Sequence, residues 1–135
     1  MNNPILAVLE EGRAREKEQT LFYRALAAEA EARGQENLVE RLNALHADEQ
    51  HHLARLTARV LELGGIPGEV GGATPELPGQ GEWERVARAR EEGEVGWYRR
   101  AVEGPTDPGT QALLQEILDS EEHHARELGG KWMSA

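Results

Sequence analysis

The stretch DEQHH at residues 48–52 and its counterpart SEEHH at residues 120–124 decide how the rest of the chain folds. Each contains a glutamate followed three positions later by a histidine, and each lies in a segment of strong helical periodicity. On an α-helix, residues three apart lie on one face, about one turn apart. Each motif therefore directs one carboxylate and one imidazole toward the same point.

Paired Glu-x-x-His motifs form part of a specific arrangement in helical bundles. Four-helix bundles that bind two metal ions take Glu-x-x-His from two helices and a single inward glutamate from each of the other two. In this chain the motif residues are Glu49 with His52 and Glu121 with His124. Such a site would need two further glutamates on two further helices.

The composition sets limits on the function. The chain has 135 residues, no cysteine and a formal net charge of −10. The lack of cysteine excludes disulfides, thiolate catalysis, zinc ribbons and iron–sulfur clusters in this chain. The negative charge argues against nucleic acid and anionic membranes as partners. Since the sequence has no apolar run of membrane-spanning length and no signal-peptide pattern, we expect a soluble, cytoplasmic protein.

Four segments carry apolar residues at a spacing of about 3.6 residues, and we expect helices at about 4–33, 36–63, 82–103 and 107–130. Asn-Pro starts the first helix and Asp-Pro the fourth, whereas glycine pairs end the second and fourth. Residues 64–81 are rich in Gly and Pro and long enough to run along the bundle. We therefore expect residues 1–135 to form a single all-α domain, a four-helix bundle with a long crossover between helices two and three.

An internal repeat identifies the two remaining glutamates. Glu16 lies on the apolar face of the first helix and Glu91 on that of the third. Each is followed seven positions later by a tyrosine, Tyr23 or Tyr98, and then by a turn and a Glu-x-x-His motif. Two such hairpins, related by a pseudo-twofold axis, would bring the four glutamates to one level.

Inward carboxylates and imidazoles need compensation, because each buried ion costs several kcal/mol and like charges repel. Two divalent cations would supply it. Ligands that are mostly oxygen with little histidine suit iron or manganese better than zinc or copper. We therefore predict a site for two iron ions, with manganese as the alternative metal. The ligands expected from the motifs and the repeat are Glu16, Glu49, His52, Glu91, Glu121 and His124.

Three other side chains have expected supporting roles near the ligands. Asp48 is a candidate for orienting an imidazole. Tyr23 and Tyr98 are expected in the core, with their hydroxyls hydrogen-bonded to ligand carboxylates. No catalytic residue beyond the metal ligands is predicted.

Taken together, these motifs resemble the ferritin-like di-iron carboxylate superfamily over nearly the whole chain. Glu94, one turn after Glu91, resembles the additional metal-binding glutamate of rubrerythrin. Because cysteine is absent, the chain is similar to the shorter rubrerythrin-like proteins that lack the rubredoxin domain. The resemblance implies a ferritin-like bundle, a di-iron site with Glu94 as a seventh ligand, and reduction of hydrogen peroxide in oxidative-stress defence.

Other functions fit the same residues. One is ferroxidase activity with iron storage in an assembled shell, and another is a di-manganese site with catalase-like activity. A third is a non-catalytic bundle that binds partners through its faces. The expected partners are hydrogen peroxide or dioxygen, an external electron donor and a second copy in a homodimer. The native metal and the electron donor stay open at this point.

Overall fold

The computed structural model describes residues 3–79 and 81–131. Within these ranges all regular structure is helical and there is no strand, which confirms the all-α class. The helices are α1 (Pro4–Ala32), α2 (Glu36–Glu62), α3 (Trp83–Glu103) and α4 (Pro108–Arg126), and a π-helical segment (Glu127–Lys131) continues α4. None of them is both long and apolar enough to cross a lipid bilayer.

The helices form two compact units, with the division between Leu77 and Pro78. In the first hairpin, α1 packs against α2; in the second hairpin, α3 packs against α4. That all 135 residues make one domain stays a prediction.

The helix starts follow the capping residues read from the sequence. The Asn3 side chain accepts a hydrogen bond from the Ile5 backbone N–H at 2.9 Å, and Pro4 opens α1. The Asp107 side chain accepts from the Thr110 N–H at 2.8 Å at the start of α4. Each cap satisfies a backbone donor that has no partner within the helix.

The first two helices end at glycines with left-handed backbone angles. Gly34 follows α1 with φ of +71°, and Gly64 follows α2 with φ of +80°. After α1, the Gln35 N–H donates to the Ala30 carbonyl at 3.0 Å, and the equivalent bond forms after α2. This is the Schellman arrangement, which favours glycine because a Cβ would clash in the left-handed region.

The helical structure of the fourth segment reaches the predicted end near the glycine pair, but its last turn is not α-helical: α4 ends at Arg126 and the π-helical segment follows. Gly129 and Gly130 lie inside the π-helical segment. A helical glycine costs only about 1 kcal/mol, and burial of Leu128 in the second hairpin favours another turn. The segment also packs against α3. Tertiary packing therefore stabilises a helical turn that contains both glycines.

The crossover begins along the first hairpin, where the buried side chain of Arg13 holds it. Arg13 Nε donates to Thr57 Oγ1 at 2.8 Å, and its Nη1 donates to Glu10 Oε1 at 2.7 Å and to the Gly68 carbonyl at 3.0 Å. The Gly68 N–H in turn donates to Glu10 Oε2 at 2.9 Å. One guanidinium thus joins α1, α2 and the crossover.

Each hairpin buries an apolar face with polar residues in its middle. In the first hairpin, Leu9 and Val60 lie toward one end and Leu26 and Leu42 toward the other, all buried. Between these layers, and at the equivalent positions of the second hairpin, buried polar or charged side chains interrupt the apolar face: Glu16, Gln19, Glu49, His52, Glu91, Glu94, Glu121 and His124. Apolar packing therefore fixes the backbone on both sides of these groups.

Two glycines provide a matched test of the helix ends. Gly34 and Gly93 are both exposed, and a Cβ at either would meet no atom within 4 Å. Only Gly34 has a positive φ. Gly34→Ala should lower the free energy of unfolding by about 1 kcal/mol, whereas Gly93→Ala, inside α3, should raise it by about 0.5–1 kcal/mol. Chemical denaturation of both variants measures these changes, and two shifts of the same sign would contradict the assigned helix end.

Candidate metal centre

The first hairpin brings three predicted ligands together. His52 Nδ1 lies 3.1 Å from Glu49 Oε1, one turn earlier on α2, and 3.5 Å from Glu16 Oε1 on α1. Both carboxylates have no exposed area, and the imidazole is buried. One possible ligand atom from each of the three lies within 4.8 Å of the others. We call Glu16, Glu49 and His52 the first half-site.

The second hairpin repeats this arrangement. His124 Nδ1 lies 3.0 Å from Glu121 Oε1 on α4 and 3.0 Å from Glu91 Oε2 on α3. All three side chains are buried, and their ligand atoms also lie within 4.8 Å of one another. We call Glu91, Glu121 and His124 the second half-site. The internal repeat of the sequence therefore corresponds to a repeated arrangement of two glutamates and one histidine.

The helical register explains why these side chains are buried. In α2, Leu45, Glu49, His52 and Leu56 follow each other at intervals of four, three and four residues, which places them on one face. The apolar residues above and below are buried and hold the polar pair inward. The same intervals and burial recur on α4 and its π-helical extension: Ile117, Glu121, His124 and Leu128.

The electrostatics of each half-site favour a bound cation. Two carboxylates shielded from water near one imidazole carry a large desolvation cost and repel each other. The approach of His52 Nδ1 to Glu49 Oε1 does not have hydrogen-bond geometry, whereas that of His124 Nδ1 to Glu121 Oε1 does. Two oxygen donors and one nitrogen donor that converge on one point fit a hard or borderline divalent cation such as Fe²⁺ or Mn²⁺.

The remaining predicted site residues have different surroundings. Glu94 is buried on α3, one turn after Glu91, with 8% of its surface exposed. Tyr23 and Tyr98 are completely buried, as expected of core residues. Asp48 is exposed on α2. The roles of Glu94 as a ligand and of Asp48 in orienting an imidazole stay predictions.

Gln19 is a site residue that the sequence reasoning did not assign. Its side chain is 1% exposed, and its Nε2 donates to Glu49 Oε2 at 3.4 Å. The feature of the sequence that could have identified Gln19 is the internal repeat, in which it occupies the position of Glu94. A glutamine on an inward helical face beside a carboxylate is a candidate hydrogen-bond donor to it.

The other histidines do not belong to either half-site. His51 and His123 are exposed although each precedes a buried histidine. His46 is half-buried. Its pKa is lowered mainly by burial and to a smaller extent by the positive charge of Arg24.

Comparison with known proteins shows the fold. No protein-family model and no curated protein matches the sequence. Among solved structures, bacterioferritin BfrA of Mycobacterium tuberculosis is similar with a TM-score of 0.87 and 21% identity, over 98% of this chain and 86% of that chain. A second structure of BfrA from M. tuberculosis is similar with a TM-score of 0.83 and 23% identity, over 95% of this chain and 82% of that one.

The similarity confirms the predicted architecture, because it extends over nearly the whole chain. The protein has the ferritin-like four-helix bundle fold, with its long crossover between α2 and α3. At this level of identity the similarity shows the fold alone. The rubrerythrin subclass stays a prediction.

Each of the two predicted ligand histidines has an exposed histidine as its immediate neighbour, which supplies a matched control. His52→Ala and His124→Ala should each weaken Mn²⁺ binding at their own half-site by more than the roughly 10–100-fold that loss of an outer partner costs. His51→Ala and His123→Ala should leave binding unchanged, since these side chains are exposed. Equilibrium dialysis followed by elemental analysis measures the bound metal. Equal losses in the buried and exposed variants would contradict the assignment of the ligands.

Proposed function

We propose that the two half-sites together bind two iron ions and that the protein oxidises Fe(II) there, as a ferroxidase in iron handling. The observation that carries the proposal is the matched pair of buried Glu, Glu and His sets, one in each hairpin. The similarity in fold to bacterioferritin supports iron oxidation and storage over peroxide reduction.

The donor set fits two divalent ions in charge as well as in ligand type. The two half-sites contain four carboxylates and two imidazoles. Four ionised carboxylates balance the formal charge of two divalent cations. Metal binding would thereby remove the repulsion that makes these acids costly to bury. Manganese can use the same ligands, and elemental analysis of protein purified without added metal distinguishes the two.

The residues of the chain would hold and shield the reacting iron. Two Fe(II) ions supply two electrons, which with two protons reduce dioxygen to hydrogen peroxide, or hydrogen peroxide to two waters. Each carboxylate has two oxygens and can bind through one or both, so the ligand set can serve both oxidation states. The burial of all six ligands limits access of bulk water to the ions. Tyr23, in the first hairpin, and Tyr98, in the second, are also fully buried.

A second candidate function is peroxide reduction of the rubrerythrin type. The observation that favours it is the burial of Glu94 one turn after Glu91, where that family has its additional ligand. An added carboxylate would stabilise the ferric state at the second half-site, because negative charge favours the more highly charged ion. This function would also require an external electron donor to return the iron to the ferrous form.

Stopped-flow oxidation of the anaerobic, Fe(II)-loaded protein tests the proposal. We expect the ferric absorbance to rise much faster than in an equal Fe(II) solution without protein, and to reach two ferric ions per chain. His52→Ala should slow this phase, and His51→Ala should not. Oxidation at the rate of free Fe(II) would overturn the proposed function.

The choice of oxidant separates the two candidates. A ferroxidase should react readily with dioxygen. If hydrogen peroxide reacts much faster than dioxygen, and Glu94→Ala removes that preference while both ions stay bound, the rubrerythrin type is favoured instead. The variant Glu92→Ala, at an exposed position on α3, is the control for a general effect of lost charge.

A further inference from the structure

The two half-sites differ at one position of the internal repeat. Gln19 follows Glu16 by three residues on α1, and Glu94 follows Glu91 by three residues on α3. Both side chains are buried on the inner faces of their helices. The two are nearly the same size, but one is a neutral amide and the other a carboxylate.

Gln19 acts directly on a ligand of the first half-site. Its amide donates to Glu49 Oε2 at 3.4 Å, while Glu49 Oε1 faces His52 Nδ1 at 3.1 Å. The amide therefore holds one oxygen of the carboxylate and leaves the other directed at the imidazole. Since an oxygen that accepts a hydrogen bond has less electron density to give a metal, this contact orients Glu49 and weakens Oε2 as a ligand.

The residue at this repeat position also gives the two half-sites different numbers of carboxylates. The first hairpin places two buried carboxylates at this level, Glu16 and Glu49. The second hairpin places three there: Glu91, Glu94 and Glu121. The affinity of oxygen-rich sites for divalent cations rises with the number of charged ligands. A uniform pair of sites would need the same residue at both positions.

We propose that Gln19 makes the two half-sites unequal, so that the second half-site binds a divalent ion more tightly and fills first. This inference rests on the proposed function and sharpens it: the second half-site takes up the first Fe(II), the first half-site takes up the second Fe(II), and the two ions are then oxidised together, each giving one electron. Gln19 is a positioning residue in this scheme.

Single-ion binding in half-site variants tests the order of affinity. His52→Ala leaves the second half-site intact, and His124→Ala leaves the first. Calorimetric titration with Mn²⁺, which avoids oxidation, should give a Kd for His52→Ala lower than that for His124→Ala by on the order of 10-fold. Equal values, or the reverse order, would overturn the inference.

Exchanging the two side chains provides the decisive comparison. Glu94→Gln added to His52→Ala should weaken binding, and Gln19→Glu added to His124→Ala should strengthen it, so the order of the two Kd values reverses. A merely structural role of Gln19 would give weaker binding with either exchange. Gln19→Glu should also lower the melting temperature of the metal-free protein, because it adds a third buried carboxylate beside Glu16 and Glu49.

If the variants do not fold, a second measurement on the unaltered protein tests the same inference. Crystals of the unaltered protein that receive less than one equivalent of Mn²⁺ should show anomalous signal mainly at the second half-site, and equal occupancy would overturn the inference. Rapid Fe(II) oxidation with equal half-sites would reject the inference and leave the proposed function standing. Failure of both half-sites to bind Mn²⁺ or Fe²⁺ would reject both.

Discussion

The fold must accommodate carboxylates that are buried in the middle of otherwise apolar helix faces. Glu16 and Glu49 in one hairpin, and Glu91 and Glu121 in the other, have no exposed surface. Groups of this kind are costly to bury unless a cation or a hydrogen-bond donor compensates them. Apolar layers above and below keep the backbone in place, so the acids cannot turn outward without losing packing on both sides.

The duplication of the hairpin accounts for the two sets of candidate ligands. One Glu-x-x-His helix and one glutamate-bearing helix supply a complete set of two oxygen donors and one nitrogen donor. Repeating the hairpin doubles the set, which corresponds to the requirement of a two-metal centre. The repeat departs from symmetry at Gln19 and Glu94, a buried amide in one hairpin and a buried carboxylate in the other, and both lie one turn from a predicted ligand.

Much of the fold could be predicted from the sequence because it depends on local signals. Periodicity near the helical value indicated four helices, and Asn3 and Asp107 cap α1 and α4 as their side-chain chemistry requires. The π-helical form of the last turn, Glu127–Lys131, could not be predicted in this way. This turn buries Leu128 and packs against α3, and such tertiary contacts are not visible in local spacing.

In the candidate site, too, some features could be predicted from local sequence and others depend on how the helices pack. The spacing of Glu49 and His52 within α2 predicted their proximity, since a helix places residues three apart together. The hydrogen bond from Gln19 to Glu49 joins two helices and depends on their relative rotation, which spacing within one helix does not determine. The two exposed histidines beside the ligands show, in turn, that helical phase separates chemically identical neighbours.

Anomalous diffraction would show whether each half-site binds one metal ion, as proposed. Crystals grown with Fe(II) under anaerobic conditions, measured on both sides of the iron edge, would locate every bound iron. We expect two ions per chain, one at Glu16 and His52 and the other at Glu91 and His124. A single ion, no ion, or iron bound away from these residues would contradict this expectation.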